Sequence, residues 1–126
     1  MRLNQVTVPA LDVERAVAFY RGLGLRLIVS ALPRYARFEC PDGDSTFSVH
    51  QVDQPPATPG VVVYFECEAL DDTVRRLQAQ GYVFTQEPRD EPWRWREARL
   101  ADPTGNVVCL YSAGENRQHP PWRLPP

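Results

Sequence analysis

The chain has 126 residues, 43% hydrophobic and 24% charged, with a formal net charge of −2, which is ordinary globular usage and matches one core. Those values exclude a disordered or fibrous chain and the strong basic field that nucleic acid requires. No apolar run approaches the roughly 20 residues of a membrane helix, and no basic segment leads into an apolar signal core, so no membrane partner and a cytoplasmic location are expected.

Leu3 to Val8 alternates, with Val6 and Val8 on one face and Leu3, Gln5 and Thr7 on the other, and predicts a strand that Pro9 ends. Asp12 then caps a helix whose apolar positions Val13, Ala16, Val17 and Tyr20 recur at helical spacing, with Gly22 and Gly24 closing it. Leu25–Ala31, Tyr35–Cys40 and Thr46–Val52 are β-prone runs separated by Pro33 and by the turn Pro41-Asp42-Gly43-Asp44, and predict three antiparallel strands. Residues 53–60, with Pro55, Pro56 and Pro59, read as a linker.

The same order then recurs. Val61–Cys67 predicts a strand, Leu70–Gln80 a helix, and Tyr82–Gln86, Trp95–Ala101 and Asn106–Ser112 three further strands, the last preceded by the turn Asp102-Pro103-Thr104-Gly105. A shift of 57 residues places Val6 on Val63, Val13 on Leu70, Val17 on Val74, Tyr20 on Leu77 and Gly24 on Gly81. Core and turn positions therefore repeat, which makes the duplication structural. The expectation is one α+β domain over residues 3–113, built from βαβββ modules at 3–53 and 60–113. A Pro-rich tail at 114–126 is expected to lie on the surface or on a neighbouring subunit.

Asn4-Gln5-Val6-Thr7-Val8, Val17-Ala18-Phe19-Tyr20-Arg21 and Gly24-Leu25 resemble the opening of the vicinal oxygen chelate proteins. Arg96-Glu97-Ala98, followed by Asp102-Pro103-Thr104-Gly105-Asn106 and the strand Val107–Tyr111, resembles that family's closing D-P-x-G-N hairpin. The resemblance covers residues 3 to 113 and implies a curved eight-stranded mixed sheet with two main helices on its convex side. The family includes lactoylglutathione lyase, extradiol dioxygenases, racemases, fosfomycin-resistance thiol transferases and bleomycin-binding resistance proteins, and fold alone does not choose among them.

Metal enzymes of that family place ligands on the first and fourth strands of each repeat, and the matching positions here are Gln5, Ser48, Val62 and Cys109. Ser48 is a poor ligand as a neutral hydroxyl and Val62 has no donor atom, so Gln5 and Cys109 fall short of the three protein ligands that catalytic zinc commonly uses. His50, two residues beyond Ser48 on the same strand face, offers a displaced set of Gln5, His50 and Cys109 as the alternative. The resemblance thus implies no metal and no cofactor, and without a Lewis acid the enediolate and oxygen chemistries of the family are disfavoured.

Alternation turns Gln5 and Thr7, Ser48 and His50, Val62, Tyr64 and Glu66, and Val107, Cys109 and Tyr111 toward the cavity. Ala98 and Leu100 face the helix, which turns Trp95, Glu97 and Arg99 the other way. Trp93 and Trp95 interrupt a charged segment, in roles of ligand stacking or of covering a core edge or interface. Glu66 and Glu97 are the candidate general bases, with pairing to arginine as their alternative role. No Ser-His-Asp constellation can be read, since His119 lies in the tail and His50 has no assignable partner. Every basic residue is arginine, fourteen in all, which removes lysine nucleophiles and Schiff-base chemistry. Cys40, Cys67 and Cys109 form neither a disulfide framework nor a C-x-x-C pair and read as small buried hydrophobes.

The expected function is a metal-free small-molecule-binding protein of the glyoxalase/bleomycin-resistance type, sequestering or carrying an organic ligand in the sheet cavity. Its ligand-binding residues would be Gln5, Ser48, His50, Tyr64, Trp93, Trp95, Arg99, Cys109 and Tyr111. A homodimer is expected, since a half-open sheet needs covering. The alternatives are a lyase or isomerase of the same superfamily, working through Glu66 or Glu97 or through a displaced metal site, and an interaction module whose cavity its own side chains fill.

Overall fold

The computed structural model describes residues 1–58 and 60–126; Pro59, read as part of the linker, lies outside the described residues. In chain order the elements are β1 (Gln5–Ala10), α1 (Val13–Leu23), β2 (Arg26–Ala31), β3 (Tyr35–Glu39), β4 (Thr46–Gln51), β5 (Val62–Glu66), α2 (Leu70–Ala79), β6 (Phe84–Asp90), β7 (Arg96–Ala101) and β8 (Val107–Ser112). The eight strands form two four-stranded mixed sheets, one per βαβββ module, ordered β1-β4-β3-β2 and β5-β8-β7-β6. In each sheet the first strand runs parallel to the fourth and the other ladders are antiparallel. The chain divides into two compact units, Met1–Val61 with Asp102–Asn106, and Val62–Ala101 with Val107–Pro126.

In the first unit the Asp12 side chain accepts the Arg15 amide at 3.1 Å and caps α1. Gly24, at φ 113°, supplies the left-handed residue that ends it, a conformation that side chains with a Cβ resist. Gly22 lies inside the last turn rather than closing the helix. The helical period delivers Val13, Ala16 and Tyr20 to one buried stripe. Tyr20 meets Phe47 of β4 with ring centroids 4.5 Å apart, and Phe38 of β3 joins them.

Strand β1 continues through Pro9 to Ala10 instead of ending there. It is the outer strand of its sheet, where a missing N–H forfeits no ladder bond. The Pro9 carbonyl accepts from Asn106 Nδ2 at 2.8 Å.

In the second unit Leu70, Val74 and Leu77 form the buried stripe of α2, and Gly81 follows at φ 100°. The Leu25 amide donates to the Tyr20 carbonyl at 3.1 Å, and the Tyr82 amide donates to the Leu77 carbonyl at 3.1 Å. The two helices thus end in the same hydrogen bond 57 residues apart. Strand β6 begins later than Tyr82 and extends through Pro88 to Asp90. Its edge position and its two register shifts against β7 accommodate the proline. Residues 53–58 carry no helix or strand, and in the tail Gly114–Arg117 forms a 3-10 turn.

Candidate functional site

The face of the first sheet turned away from α1 carries a connected polar row. Thr7 of β1 stands opposite Ser48 of β4, Ser48 opposite Arg37 of β3, and Tyr35 opposite His50. Thr46 donates to Gln5 Oε1, and Gln5 Nε2 donates to Ser48 Oγ at 2.9 Å and to Thr7 Oγ1 at 3.2 Å. Ser48 Oγ lies 2.7 Å from the Tyr35 hydroxyl, to which Arg37 Nε donates at 2.8 Å. The Ser48 hydrogen bond, acting against burial and together with Arg37, holds the Tyr35 phenol below its ordinary pKa. His50 shares the strand face but is exposed, and makes no side-chain hydrogen bond among the described residues.

The corresponding face of the second sheet holds a carboxylate surrounded by donors. Glu97 of β7 is 1% exposed. Its Oε2 accepts from Trp93 Nε1 at 2.6 Å, and its Oε1 accepts from Arg99 Nη2 at 3.1 Å and from the Cys109 thiol at 3.6 Å. Burial, then the Glu97 carboxylate, pushes the Cys109 thiol up to about 12, with Arg99 opposing. Arg99 Nη2 also reaches the Tyr64 hydroxyl at 3.3 Å. Beside this group Trp95 stacks on Tyr111 with centroids 4.8 Å apart, and Tyr64 meets both edge-on at 5.8 and 5.7 Å. Val62 packs against Cys109 and Tyr111.

The structure therefore gathers Tyr64, Trp93, Trp95, Glu97, Arg99, Cys109 and Tyr111 at the second sheet, and joins Gln5 to Ser48 on the first. Glu66 stands apart from the carboxylate group, exposed at the end of β5. Tyr35 and Arg37 were absent from the expected site, although alternation along β3 places them on the face of Ser48. Depressions of about 280 and 180 Å³ border α2, lined by residues such as Asp71 and Arg96, and none of the expected ligand residues lines them.

The residues at the family's metal positions do not fit a metal. Ser48 already engages Gln5 and Tyr35, Val62 offers only methyl groups, and the buried Cys109 thiol is directed at the Glu97 carboxylate. Among the described residues no three His, Cys, Asp or Glu side chains group closely enough to hold an ion.

Paired βαβββ modules, each with a helix on one side of its sheet and converging polar or aromatic side chains on the other, define the vicinal oxygen chelate class. The chain belongs to the Glyoxalase/Bleomycin resistance protein/Dioxygenase superfamily, whose family profile matches residues 2–110. A glyoxalase/bleomycin resistance protein/dioxygenase from Nocardioides is 25% identical, with a TM-score of 0.78 over 99% of this chain and 90% of that one. Lactoylglutathione lyase from Agrobacterium tumefaciens is 20% identical, with a TM-score of 0.76 over 94% and 97%. A bleomycin-binding protein complexed with bleomycin is 17% identical, with a TM-score of 0.72 over 89% and 98%. No curated protein matches the chain in sequence. Among the described residues no helix is long and apolar enough to cross a membrane.

Proposed function

We propose that the chain binds a small organic ligand without a metal, in the manner of the bleomycin-resistance branch, and that the ligand lies on the face of the second sheet turned away from α2. The observation that carries this reading is the Tyr64, Trp95 and Tyr111 cluster beside Arg99, a guanidinium with only Nη2 engaged among the described residues. Exposed ring surface on Tyr64 and Trp93 offers stacking area, and Arg99 offers directional donors, the combination that binding sites use for planar polar compounds. The bleomycin-binding neighbour carries an organic ligand on the same fold.

The second reading, a metal-independent lyase or isomerase, rests on Glu97. Both of its oxygens already accept hydrogen bonds, which favours a positioning role over proton abstraction. We further propose a homodimer, because the two outer strands of each sheet have one side unpaired within that sheet. Sedimentation showing only monomer at micromolar concentration would count against it.

Tryptophan fluorescence tests the binding reading, using Trp122→Phe as background so that Trp93 and Trp95 report. A panel of planar aromatic compounds is expected to contain members that change the emission saturably, and Trp95→Ala to weaken them about tenfold. Emission unmoved by every member would sink the reading.

A further inference from the structure

We propose that Tyr35 and Arg37 form an anion-binding point on the open face of the first sheet, taking a carboxylate or phosphate oxygen through the Tyr35 O–H and the Arg37 Nη groups. It goes beyond the reading above, which places the ligand on the second sheet, and it is carried by the direction of the hydrogen bonds rather than by family likeness.

The direction follows from atoms with only one possible role. The Val6 carbonyl, which can only accept, lies 3.3 Å from the terminal nitrogen of Gln5 and so fixes that amide with Nε2 toward Ser48. Ser48 Oγ therefore accepts from Gln5 at 2.9 Å. Ser48 is fully buried, at 0% exposure, so its own proton has no water to reach. Its remaining partner among the described residues is the Tyr35 oxygen at 2.7 Å. Arg37 can only donate, and its Nε also points at that oxygen. The Tyr35 oxygen thus accepts twice, and its own proton is directed out of the network.

The two modules supply an internal comparison. By register Arg37 stands opposite Ser48 as Arg99 stands opposite Cys109, and Tyr35 stands opposite His50 as Glu97 stands opposite Tyr111. In the second module the carboxylate at this place pairs with Arg99. In the first module a phenol takes the place of that carboxylate. Arg37 has no acidic partner among the described residues, and its Nη groups are without one. Its guanidinium carbon sits 5.5 Å from the centre of the Tyr35 ring. The next acid along this face of β3, Glu39, pairs with Arg26. An exposed, unneutralised guanidinium beside an outward phenolic O–H is a donor set for an anionic oxygen.

Benzoate, phenyl phosphate and the neutral isostere benzamide are the probes, followed through the Arg37 Nε–H and Tyr35 ring resonances by NMR. Both anions are expected to shift these resonances saturably, the preferred one identifying the headgroup, with benzamide at least tenfold weaker. Tyr35→Phe and, at an exposed position, Arg37→Gln should each weaken the preferred anion about tenfold. Resonances unmoved by either anion, or equal affinity for benzoate and benzamide, would overturn the proposal. A tryptophan fluorescence response persisting in those samples would leave the aromatic-face reading standing. A response at Arg37 without one would support the anion point and count against the aromatic face.

Discussion

Glu97 shows how one buried charge organises its surroundings. With Trp93, Arg99 and Cys109 all directed at its two oxygens, Glu97→Ala would strand an indole N–H and a guanidinium. Destabilisation of about 3 kcal/mol is expected in urea titrations. Glu97→Gln keeps the volume and one acceptor, and should cost about half as much. The Cys109 thiol, pushed by burial and by Glu97 from 9.0 to about 12, adds a pH dependence whose sign can be worked out. Below about pH 9 the thiol is protonated in both states, and its contribution to stability is fully present. Between about 9 and 12 the unfolded chain releases the proton while the native chain keeps it, so unfolding free energy falls as pH rises. Tyr20 and Cys40 are raised too, so the readout is a difference. Urea midpoints measured from about pH 8 to 11 should fall less steeply in Cys109→Ala than in the unaltered chain. Equal slopes would remove Cys109 as a contributor.

At the scale of an element, the turn Asp102–Asn106 is held by a single side chain. Asp102 Oδ1 accepts the amides of Thr104, Gly105 and Asn106 at 2.9, 3.0 and 2.9 Å. Its Oδ2 accepts the Tyr20 hydroxyl at 2.6 Å and Asn106 Nδ2 at 2.8 Å. Desolvation, with the Asp102 charge adding to it, raises the Tyr20 phenol far above its ordinary range, so Tyr20 stays the donor. Asp102→Ala leaves five donors without this acceptor, several of them buried, and is expected to lower stability by more than about 3 kcal/mol. Asp102→Asn turns a donor toward Tyr20 or the amides and should also destabilise; a change below about 1 kcal/mol in either variant would contradict this account. The sequence made the turn legible because Asp-Pro-Thr-Gly is strong turn chemistry, but it did not show that Tyr20, read only as an apolar helix position, ends on the carboxylate. Helix ends were legible for the same local reason, through Asp12, Gly24 and Gly81. Proline in β1 misled, because a proline breaks a strand only where its N–H is needed, and sheet order decides that.

Across the whole molecule the duplication was readable from spacing, since a 57-residue shift superposes buried positions and the terminating glycines. What each copy carries at its centre was less readable. Alternation separates the two faces of a strand, yet it does not say which side chains on one face touch. Trp93 joining Glu97, and Tyr35 joining Ser48, depend on loop path and cross-strand geometry. Those contacts bear directly on metal affinity. Ser48 and Cys109 occupy equivalent places, opposite Thr7 and Tyr64 respectively, and each is tied into hydrogen bonds with its neighbours. To ligate, Ser48 would have to leave Tyr35 and Gln5, and Cys109 would have to give up its contact with the Glu97 carboxylate. Each ligand withheld removes much of the affinity of a divalent ion, because water must then fill the position. Elemental analysis of protein purified without added metal, with calorimetric titration of zinc, nickel, manganese and iron(II), is therefore expected to show no stoichiometric tight binding. One tightly held ion per chain, lost in Gln5→Ala or Cys109→Ala, would show that these hydrogen bonds yield to coordination and would replace the binding reading with a metalloenzyme.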